Sequence, residues 1–356
     1  MKRKAIILWF LVIASFLIAC TDTQKLQQET DEQEKITPLV KDDDSIRIGF
    51  SMDTLLEERW LRDRDLFKEE VESLGAEVKI VAANGDDALQ ISQAEALISS
   101  GIDLLVIVPH NAEATAAIVH KAHLAGIQVI AYDRLVKNAN LDLYVSFDNE
   151  QVGEMQAKAI TAIVPKGNYV IIGGAITDNN AHLLKKGVFN VLRPYIERGD
   201  INIVYDQWTK DWTPANAKTN MEEALHTTKG QIDAVIAAND ATAGGVIQAL
   251  AAKGLAGIVP VAGQDADLAG VQRIVSGDQT MTVYKPIRML TQEVAKLAVA
   301  MAKGEEVPAF QKVNNGKIEV PSVLLSPIAV NVHNIESTVI ADGFHSSEDI
   351  YKDTSK

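Results

Sequence analysis

The sequence predicts an α/β protein built from two doubly wound lobes. Short apolar runs bounded by polar residues alternate along the chain with longer segments in which apolar residues recur at helical spacing. A short run that is apolar on both faces is typical of a strand in a parallel sheet, and its alternation with helices is typical of a doubly wound fold. An internal repeat divides this pattern into two lobes.

The internal repeat relates two pairs of segments. GIDLLVIVPHN at 101–111 matches QIDAVIAANDATAGG at 231–245, and AGIQVIAYDR at 125–134 matches AGIVPVAGQD at 256–265. Both matches are offset by about 130 residues, a length that suits a duplicated domain and not a solenoid. The repeat predicts that Asp133 and Asp265 occupy equivalent strand ends, one in each lobe, with a ligand held in the cleft between them.

The elements of the first lobe follow from apolar periodicity. A helix ending near Leu74 carries Trp60, Phe67, Val71 and Leu74 on one core-facing stripe. The other predicted elements of this lobe are strands at 46–51, 77–82, 104–108, 129–132 and 143–147 and helices at 88–100 and 112–125.

The second lobe repeats the alternation. Its predicted strands are at 169–172, 201–205, 232–238, 259–263 and 281–284, and its helices at 150–163, 181–198, 213–226, 245–253 and 268–276. A helix at 287–303 and a last apolar strand at 322–327 follow. The strand at 232–238 ends in Asn239, which we expect to cap the next helix.

Three strand segments, near Phe147, Tyr284 and Leu325, are predicted to connect the lobes. Several connections between two lobes favour a hinged pair over independent domains. The predicted divisions are an N-terminal lobe of residues 45–148 and 284–325, a C-terminal lobe of residues 149–283 and 326–345, and a polar tail at 346–356.

The N-terminus is typical of an exported lipoprotein. Residues 1–19 combine a basic start with an apolar segment that is short for a membrane span, and small residues then precede Cys20. This arrangement resembles a bacterial lipobox, at which the signal peptide is cleaved and Cys20 is acylated. An unlipidated signal peptide and an uncleaved anchor are the alternatives. Residues 20–44 are rich in Gln, Glu, Asp and Lys, which predicts a disordered tether.

Charge and cysteine content exclude several classes of function. The net charge of −14 argues against nucleic acid as a partner and against electrostatic adhesion to anionic lipid. Cys20 is the only cysteine, so an acylated Cys20 would leave the exported protein without disulfides, cysteine catalysis or cysteine metal sites.

The polar and aromatic residues predicted at strand ends and in adjoining loops suit a neutral polyol. Carboxylate and amide oxygens accept hydrogen bonds from hydroxyl groups, cationic groups donate hydrogen bonds to hydroxyl oxygens, and indole rings pack on sugar C–H groups. A single strand-end Asp or Asn is often an ordinary helix cap, so the interpretation depends on the whole set. The candidate ligand-binding residues are Arg59, Trp60, Asp133, Arg134, Asn180, Trp212, Asn239, Asp265 and Lys285.

Sequence motifs of enzymes are missing. The chain contains no P-loop, no G-x-G-x-x-G, no G-x-S-x-G and no H-E-x-x-H. The sequence therefore predicts a protein that is not an enzyme. Facing carboxylates at Asp133 and Asp265 leave glycoside hydrolysis open, but Arg134 and Lys285 nearby would keep them ionised, which suits hydrogen bonding better than acid catalysis.

At these residues the chain resembles the periplasmic sugar-binding proteins of the ribose/galactose type, and most closely those that bind D-xylose for ABC importers. The resemblance extends from about residue 45 to residue 344. The segments that carry it are ERW at 58–60, AYDR at 131–134, SFDNE at 146–150, DNNA at 178–181, NDATAGG at 239–245, GQDAD at 263–267 and MTVYKP at 281–286.

The resemblance implies a type I periplasmic binding protein fold, in which two Rossmann-like lobes joined by three hinge strands close on the sugar. It implies that Trp60 and Trp212 sandwich a pentose ring and that the pentose is hydrogen-bonded by Arg59, Arg134, Asn180, Asn239, Asp265 and Lys285. The implied function is capture of D-xylose for an ABC permease, without cofactor or metal. The lipobox is a departure from the soluble members of the family, and it predicts a receptor anchored to the cell membrane through Cys20. The alternatives are a co-receptor that presents the sugar to a membrane histidine kinase and, third, an exported pentose-processing enzyme.

Overall fold

The structure, a computed structural model, describes residues 45–309 and 311–352. The predicted signal peptide, Cys20 and the tether lie outside the described residues. Within them, no helix combines the length and the apolar character that a membrane span requires.

Strands and helices alternate along the described chain. The strands are β1 Arg47–Met52, β2 Glu77–Ala82, β3 Leu104–Ile107, β4 Gln128–Tyr132, β5 Leu143–Phe147, β6 Gly167–Ile172, β7 Ile201–Gln207, β8 Ala234–Ala237, β9 Val261–Ala262, β10 Thr282–Tyr284, β11 Gln311–Asn314, β12 Glu319–Leu325 and β13 Ile328–Val330. The α-helices are α1 Glu58–Ser73, α2 Asp87–Ser99, α3 Ala116–Leu124, α4 Asn149–Ile163, α5 Asn179–Glu197, α6 Pro214–Thr227, α7 Asp240–Ala251, α8 Leu268–Ser276, α9 Ile287–Ala302 and α10 Ser347–Tyr351.

Two open sheets form the centres of the two lobes. The first has the strand order β11-β12-β5-β4-β3-β1-β2 and is parallel except for the β11–β12 pair. The second has the order β7-β6-β8-β9 and is parallel throughout. An antiparallel pair, β10–β13, adjoins it through a bridge between Ala262 and Met281. The predicted α/β fold class, with two Rossmann-like lobes, is confirmed.

Within the described residues the chain passes between the lobes three times: between β5 and α4, between β10 and α9, and between β12 and β13. The first and third connections lie side by side, because the Asp148 N–H donates to the Leu325 carbonyl at 2.9 Å. The second connection carries Lys285. Adjacent crossings of this kind allow one lobe to rotate against the other without disturbing either sheet.

Burial of both sheet faces explains why the strands are apolar. All of β3 and β8 is buried, and helices cover both faces of each sheet. On α1, Trp60, Phe67 and Val71 are buried as the stripe predicts, whereas Leu74 is 41% exposed. Leu74 departs from the prediction because it is the C-cap residue, where the chain turns away from the core.

Helix α7 begins earlier than predicted. Asn239 is its N-cap: the side-chain oxygen accepts from the Thr242 N–H at 2.9 Å, and Thr242 Oγ1 accepts from the Asn239 N–H at 3.0 Å. The expectation that Asn239 caps this helix is confirmed, whereas the predicted helix range, 245–253, begins five residues too late. In the structure a Cβ on Gly245 would lie 2.1 Å from the Pro214 carbonyl oxygen, so this glycine permits close packing of α7 on α6.

Three short elements were not predicted. Strand β11 is a mostly exposed, polar edge strand, and β13 has only three residues, so neither produces a clear apolar pattern. Helix α10 lies in the segment predicted to be a polar tail. Its Ile350 is buried among apolar residues that include Val271 of α8, and Gln272 donates to the Asp349 carbonyl at 2.8 Å.

Candidate ligand-binding site

A polar cavity lies between the two lobes. Its walls come from the carboxyl ends of strands in both sheets and from the first turn of α1, where open α/β sheets place their ligands. The volume of the cavity is about 370 Å³, including the space at its opening to solvent. All nine predicted candidates line it, together with Glu57, Asp178 and Gln264: Glu57, Arg59, Trp60, Asp133, Arg134, Asp178, Asn180, Trp212, Asn239, Gln264, Asp265 and Lys285.

Asp133 and Asp265 occupy equivalent positions in the two lobes, as the internal repeat predicts. Both have a left-handed backbone, with φ of 60° and 90°, which is uncommon for residues other than glycine. The Asp133 N–H donates to Val145 in β5, and the Asp265 N–H donates to Val283 in β10, both at 2.8 Å. This backbone conformation turns each carboxylate into the cleft, a strained arrangement that is common at binding sites.

Arg59 bridges the two lobes through these carboxylates. Its guanidinium pairs with Asp133, with Asp265 Oδ1 at 3.2 Å and, within α1, with Asp63 Oδ2 at 3.3 Å. Burial raises the pKa of Asp133, but Arg59 and Lys285 more than offset this and hold it below its usual range. Asp133 is therefore an ionised hydrogen-bond acceptor.

Arg134 makes a second bridge between the lobes. It pairs with Asp53 Oδ2 at 2.5 Å in the first lobe and with Asp178 Oδ2 at 2.8 Å in the second. Asp178 also caps α5, because its other oxygen accepts from the Asn180 N–H at 2.8 Å. Burial raises the pKa of Asp178, and Arg134 opposes that rise.

Asn180, at the start of α5, reaches the first lobe. Its amide nitrogen lies 3.0 Å from the carbonyl oxygen and 3.1 Å from a carboxylate oxygen of Asp133. Asn239 uses its oxygen to cap α7, so its NH₂ group is what it can offer a ligand.

Two indole rings contribute to the walls in different ways. Trp60 packs in the core of the first lobe and lies under two guanidinium groups, with Arg59 Cζ 4.6 Å and Arg134 Cζ 5.0 Å from its ring centroid. Trp212 follows a turn in which both Asp211 and Trp212 have left-handed φ values. Its ring fits against Gly174, where a Cβ would lie 2.2 Å from the indole. The glycine is therefore required for the indole to reach the cavity.

Lys285 lies on the second connection between the lobes and is 2% exposed. Its Nζ is 3.8 Å from Asp265 Oδ1. Burial lowers the pKa of Lys285, while Asp133 and Asp265 raise it. Lys285 therefore places a cation beside the carboxylates of both lobes, Asp133 and Asp265. Because Lys285 lies on a connection that must move when the lobes separate, it couples the site to that movement.

Three buried polar atoms on the cavity wall have no hydrogen-bond partner in the described part of the chain. They are the acceptors Glu57 Oε2 and Gln264 Oε1 and the donor Trp212 Nε1. A buried polar atom without a partner costs about 1–3 kcal/mol, so such a set indicates a ligand that supplies both donors and acceptors. Hydroxyl groups do both, which makes a neutral polyol complementary to the cavity.

Sequence reasoning missed Glu57 altogether. An acidic residue at a helix start is common, since it interacts favourably with the helix dipole, and nothing in the sequence separates Glu57 from that general case. Asp178 and Gln264 lie in segments that carry the resemblance, but they are not among the nine predicted ligand-binding residues.

The geometry does not favour the hydrolytic alternative. Asp133 and Asp265 share Arg59, and the pKa of Asp133 is held below its usual range, so Asp133 is poorly suited to protonate a leaving group. In residues 45–309 and 311–352, no cluster of His, Cys, Asp and Glu side chains could hold a metal ion.

Contacts outside the cavity also join the lobes. The Arg62 Nη1 donates to the Phe344 carbonyl at 2.6 Å, and Glu58 Oε2 accepts from the Leu268 N–H at the start of α8 at 3.2 Å. Together with the Arg59–Asp265 and Arg134–Asp178 pairs, they show that the structure is a closed form of the two-lobed protein.

Comparison with known proteins agrees with the fold and with the segments noted in the sequence. A family model described as "periplasmic binding protein domain" matches residues 48–306. The chain is 54% identical over 306 residues to the D-xylose-binding periplasmic protein of Haemophilus influenzae, covering 86% of this chain and 92% of the relative. It is 52% identical over 305 residues to the protein of the same name from Escherichia coli, with the same coverage.

A solved structure is similar over the same region. The carbohydrate transporter solute binding protein from Chloroflexus aurantiacus, in complex with D-glucose, superposes with a TM-score of 0.81 and 32% identity, covering 86% of this chain and 98% of the other. The family consists of binding proteins and not of enzymes, as the missing catalytic motifs predicted. The chain belongs to the periplasmic binding protein family, in its ribose/galactose-type branch.

Proposed function

We propose that this protein is an extracytoplasmic receptor that captures D-xylose between its two closing lobes and delivers it to an ABC permease. The observation that carries the proposal is the cavity: carboxylate acceptors, cationic donors, amides and two indoles line one space between the lobes. Support for D-xylose in particular comes from the two relatives that share more than half of their residues with this chain and are named D-xylose-binding periplasmic proteins.

The proposed hydrogen bonding divides by charge. Asp133 and Asp265 accept hydrogen bonds from sugar hydroxyls, while Arg59, Arg134 and Lys285 donate hydrogen bonds to hydroxyl oxygens. Hydrogen bonds to charged groups contribute about 1.5–3 kcal/mol each, so a few of them support tight binding of a small neutral ligand.

The remaining candidates provide shape and orientation. Asn180 and Asn239 carry amide donors at the starts of α5 and α7, and Trp60 and Trp212 present ring faces suited to the C–H groups of a pyranose. A pocket bounded by two indoles should leave little room for the additional CH₂OH group of a hexose. This predicts preference for a pentose.

Lobe closure supplies the signal to the membrane partner. A ligand shifts the equilibrium towards the closed form only because it contacts both lobes at once. Arg59 and Asp133 lie in the first lobe and Asp178, Asn180 and Asp265 in the second, so a sugar among them stabilises the closed form and not the open one. We propose that the permease recognises that closed form.

The lipid anchor at Cys20 is part of the proposal and depends on the sequence alone. A tether of about 25 residues spans on the order of 25–30 Å if flexible, which would keep the receptor near the membrane without fixing its orientation. Mass spectrometry of the protein from its native membrane tests this. Acylation of an N-terminal Cys20 is expected, and an unmodified cysteine or a retained signal peptide would contradict it.

The ligand is tested by isothermal titration calorimetry with D-xylose, D-glucose, D-ribose, L-arabinose and xylobiose. We expect D-xylose to bind most tightly, with D-glucose weaker. Absence of binding to every sugar would refute the proposal. The membrane partner is tested by measuring ATP hydrolysis by the reconstituted transporter with and without the xylose-bound receptor. We expect the xylose-bound receptor to stimulate hydrolysis. If it changes only the activity of a sensor kinase, the partner is the kinase and not the permease.

A further inference from the structure

The loop that carries Asp265 has a strained backbone. Asp265 and the next residue, Ala266, both have left-handed conformations, with φ of 90° and 52°. Residues other than glycine rarely adopt this conformation, and it persists only where surrounding groups hold it. The position of the Asp265 carboxylate on the cavity wall therefore depends on the groups that hold residues 263–267.

The buried carboxyl of Asp240 holds this loop from outside the cavity. Asp240 is 1% exposed and is not among the residues that line the cavity. Its Oδ2 accepts from the Asp267 N–H at 3.0 Å and from Thr282 Oγ1 at 2.9 Å. Thr282 Oγ1 in turn accepts from the Ala266 N–H at 3.2 Å. One carboxyl oxygen thus fixes the backbone that follows Asp265.

The other carboxyl oxygen faces a donor whose orientation is fixed. Asp240 Oδ1 accepts from Gln279 Nε2 at 2.6 Å. The Gln279 amide cannot turn around, because its Nε2 also donates to the Met281 carbonyl at 3.1 Å and its Oε1 accepts from Arg273 Nε at 3.0 Å. Both oxygens of Asp240 therefore face donors, and an amide in place of the carboxyl would put its NH₂ group against one of them.

The packing around Asp240 is matched to its carboxyl. A Cβ on Gly263 would lie 2.1 Å from Asp240 Oδ1, and a Cβ on Gly270 would lie 2.3 Å from Oδ2. Acidic residues in the first turn of a helix often act only through the helix dipole. Here Asn239 caps α7, and among the described residues the donors to the Asp240 carboxyl lie outside that helix. Helix stabilisation therefore does not account for these contacts.

We propose that Asp240 is a positioning residue for sugar binding, which holds the loop at 263–267 so that the Asp265 carboxylate is presented to the sugar. The inference rests on the proposed sugar-binding function and extends it, since Asp240 acts through Asp265 without touching the ligand. The contacts of the Asp240 carboxyl lie within the second lobe, so they hold the loop in the open form as well as in the closed one. Binding then does not bear the free-energy cost of ordering this loop.

Calorimetry with D-xylose tests this in a double-mutant cycle of Asp240→Asn and Asp265→Asn. Asp240→Asn keeps the side-chain shape but places an NH₂ group against a donor, and Asp265→Asn removes the charge that Asp240 is proposed to position. Titrations are made at about pH 8, because burial raises the pKa of Asp240 to about 7 and both oxygens are free to accept only when the carboxyl is ionised. Thr282→Val, which removes the hydroxyl link to Ala266, is the second variant if Asp240→Asn does not fold.

Asp240→Asn should bind D-xylose at least about fivefold more weakly than the wild type, because a displaced Asp265 loses part of its hydrogen bonding to the sugar. In the Asp265→Asn background the same change should alter affinity by less than about twofold, since the two residues act as one unit. Thr282→Val should show the same dependence on the Asp265 charge.

A matched control and a measurement without sugar complete the test. The Asp233 carboxyl accepts from the Asn168 N–H at 2.7 Å and so also holds backbone of the second lobe, but before β8 and away from the cavity. Asp233→Asn should keep wild-type affinity. In the ligand-free protein, Asp240→Asn should accelerate hydrogen exchange at the Ala266 and Asp267 amides relative to those of β6.

The outcomes that would overturn the inference are distinguishable. If the wild type binds no sugar, the proposed function fails and the inference fails with it. If the wild type binds D-xylose and folded Asp240→Asn binds it equally well, or loses the same factor with and without the Asp265 charge, Asp240 is only structural and the inference fails alone. Unchanged hydrogen exchange at residues 266 and 267 would also refute it, because Asp240 would then not hold the loop.

Discussion

Replacement of Asp265 by asparagine should weaken sugar binding strongly while leaving the fold intact. Asp265 is 7% exposed and lies 3.2 Å from Arg59 Nη1 and 3.8 Å from Lys285 Nζ. Its φ of 90° favours asparagine over alanine as the replacement, because asparagine adopts left-handed conformations more readily. The change removes one negative charge and keeps the side-chain shape.

The magnitude follows from the contacts. Loss of one or two hydrogen bonds to a charged acceptor costs about 1.5–3 kcal/mol each, so affinity for D-xylose should fall at least about tenfold, and more if both are lost. Breaking a buried ion pair costs about 3–5 kcal/mol of stability. The cost here should lie at the low end, because Arg59 retains Asp63 and Asp133 as partners.

Calorimetry with D-xylose and urea unfolding without ligand measure the two effects. Asp206→Asn is the matched control in the same lobe: Asp206 pairs with Lys185 at 2.6 Å, away from the cavity. The control should keep wild-type affinity and lose at most about 1 kcal/mol of stability. If folded Asp265→Asn binds D-xylose as tightly as the wild type, Asp265 does not contact the sugar and the reasoning is refuted.

Three further predictions test other parts of the molecule. Trp212→Ala should weaken D-xylose binding by about 2 kcal/mol or more, because the contact between the indole and the sugar ring is lost. The control Trp208→Ala, which removes an indole outside the cavity, should not weaken it. If calorimetry gives the same D-xylose affinity for Trp212→Ala and the wild type, Trp212 lies outside the site. Arg62→Met should reduce affinity about fivefold by removing an interlobe hydrogen bond worth about 1 kcal/mol, whereas Arg64→Met, whose partner Asp65 is on the same helix, should not. Burial raises the pKa of Asp63 to about 6, so between about pH 4 and pH 6 the folded state holds a proton that the unfolded state has lost. The proton adds up to about 3 kcal/mol to the free energy of unfolding. This contribution is full below about pH 4 and is lost as the pH rises to about 6. Urea unfolding from pH 4 to 7 should show this loss in the wild type relative to Asp63→Asn, and parallel curves would contradict it.

The sequence was most informative where burial dictates composition. Strands such as β3 and β8 are covered on both faces and must be apolar, so they were recognised with small errors at their ends. The candidate site was predictable for a related reason: strand ends in a parallel sheet converge at one edge, and a repeat identifies which ends face each other. This argument pairs Asp133 with Asp265, and in the structure the two carboxylates share Arg59.

What the sequence could not provide is the partnership among charged side chains. Nothing in its pattern shows that Arg59 pairs with three carboxylates or that Arg134 connects Asp53 to Asp178, because such pairs join residues far apart along the chain. The same limit explains the omission of Glu57. Glu57 belongs to the candidate site only because the fold places it on the cavity wall, which composition and spacing do not encode.

The measurement that tests the central claim most directly is a crystal structure of the protein grown with D-xylose. The account predicts one pyranose in the cavity between the lobes, with its hydroxyl groups hydrogen-bonded to Asp265, Arg59 and Asn180 and its ring between Trp60 and Trp212. A sugar bound elsewhere, or a cavity that remains without sugar at saturating D-xylose, would contradict it.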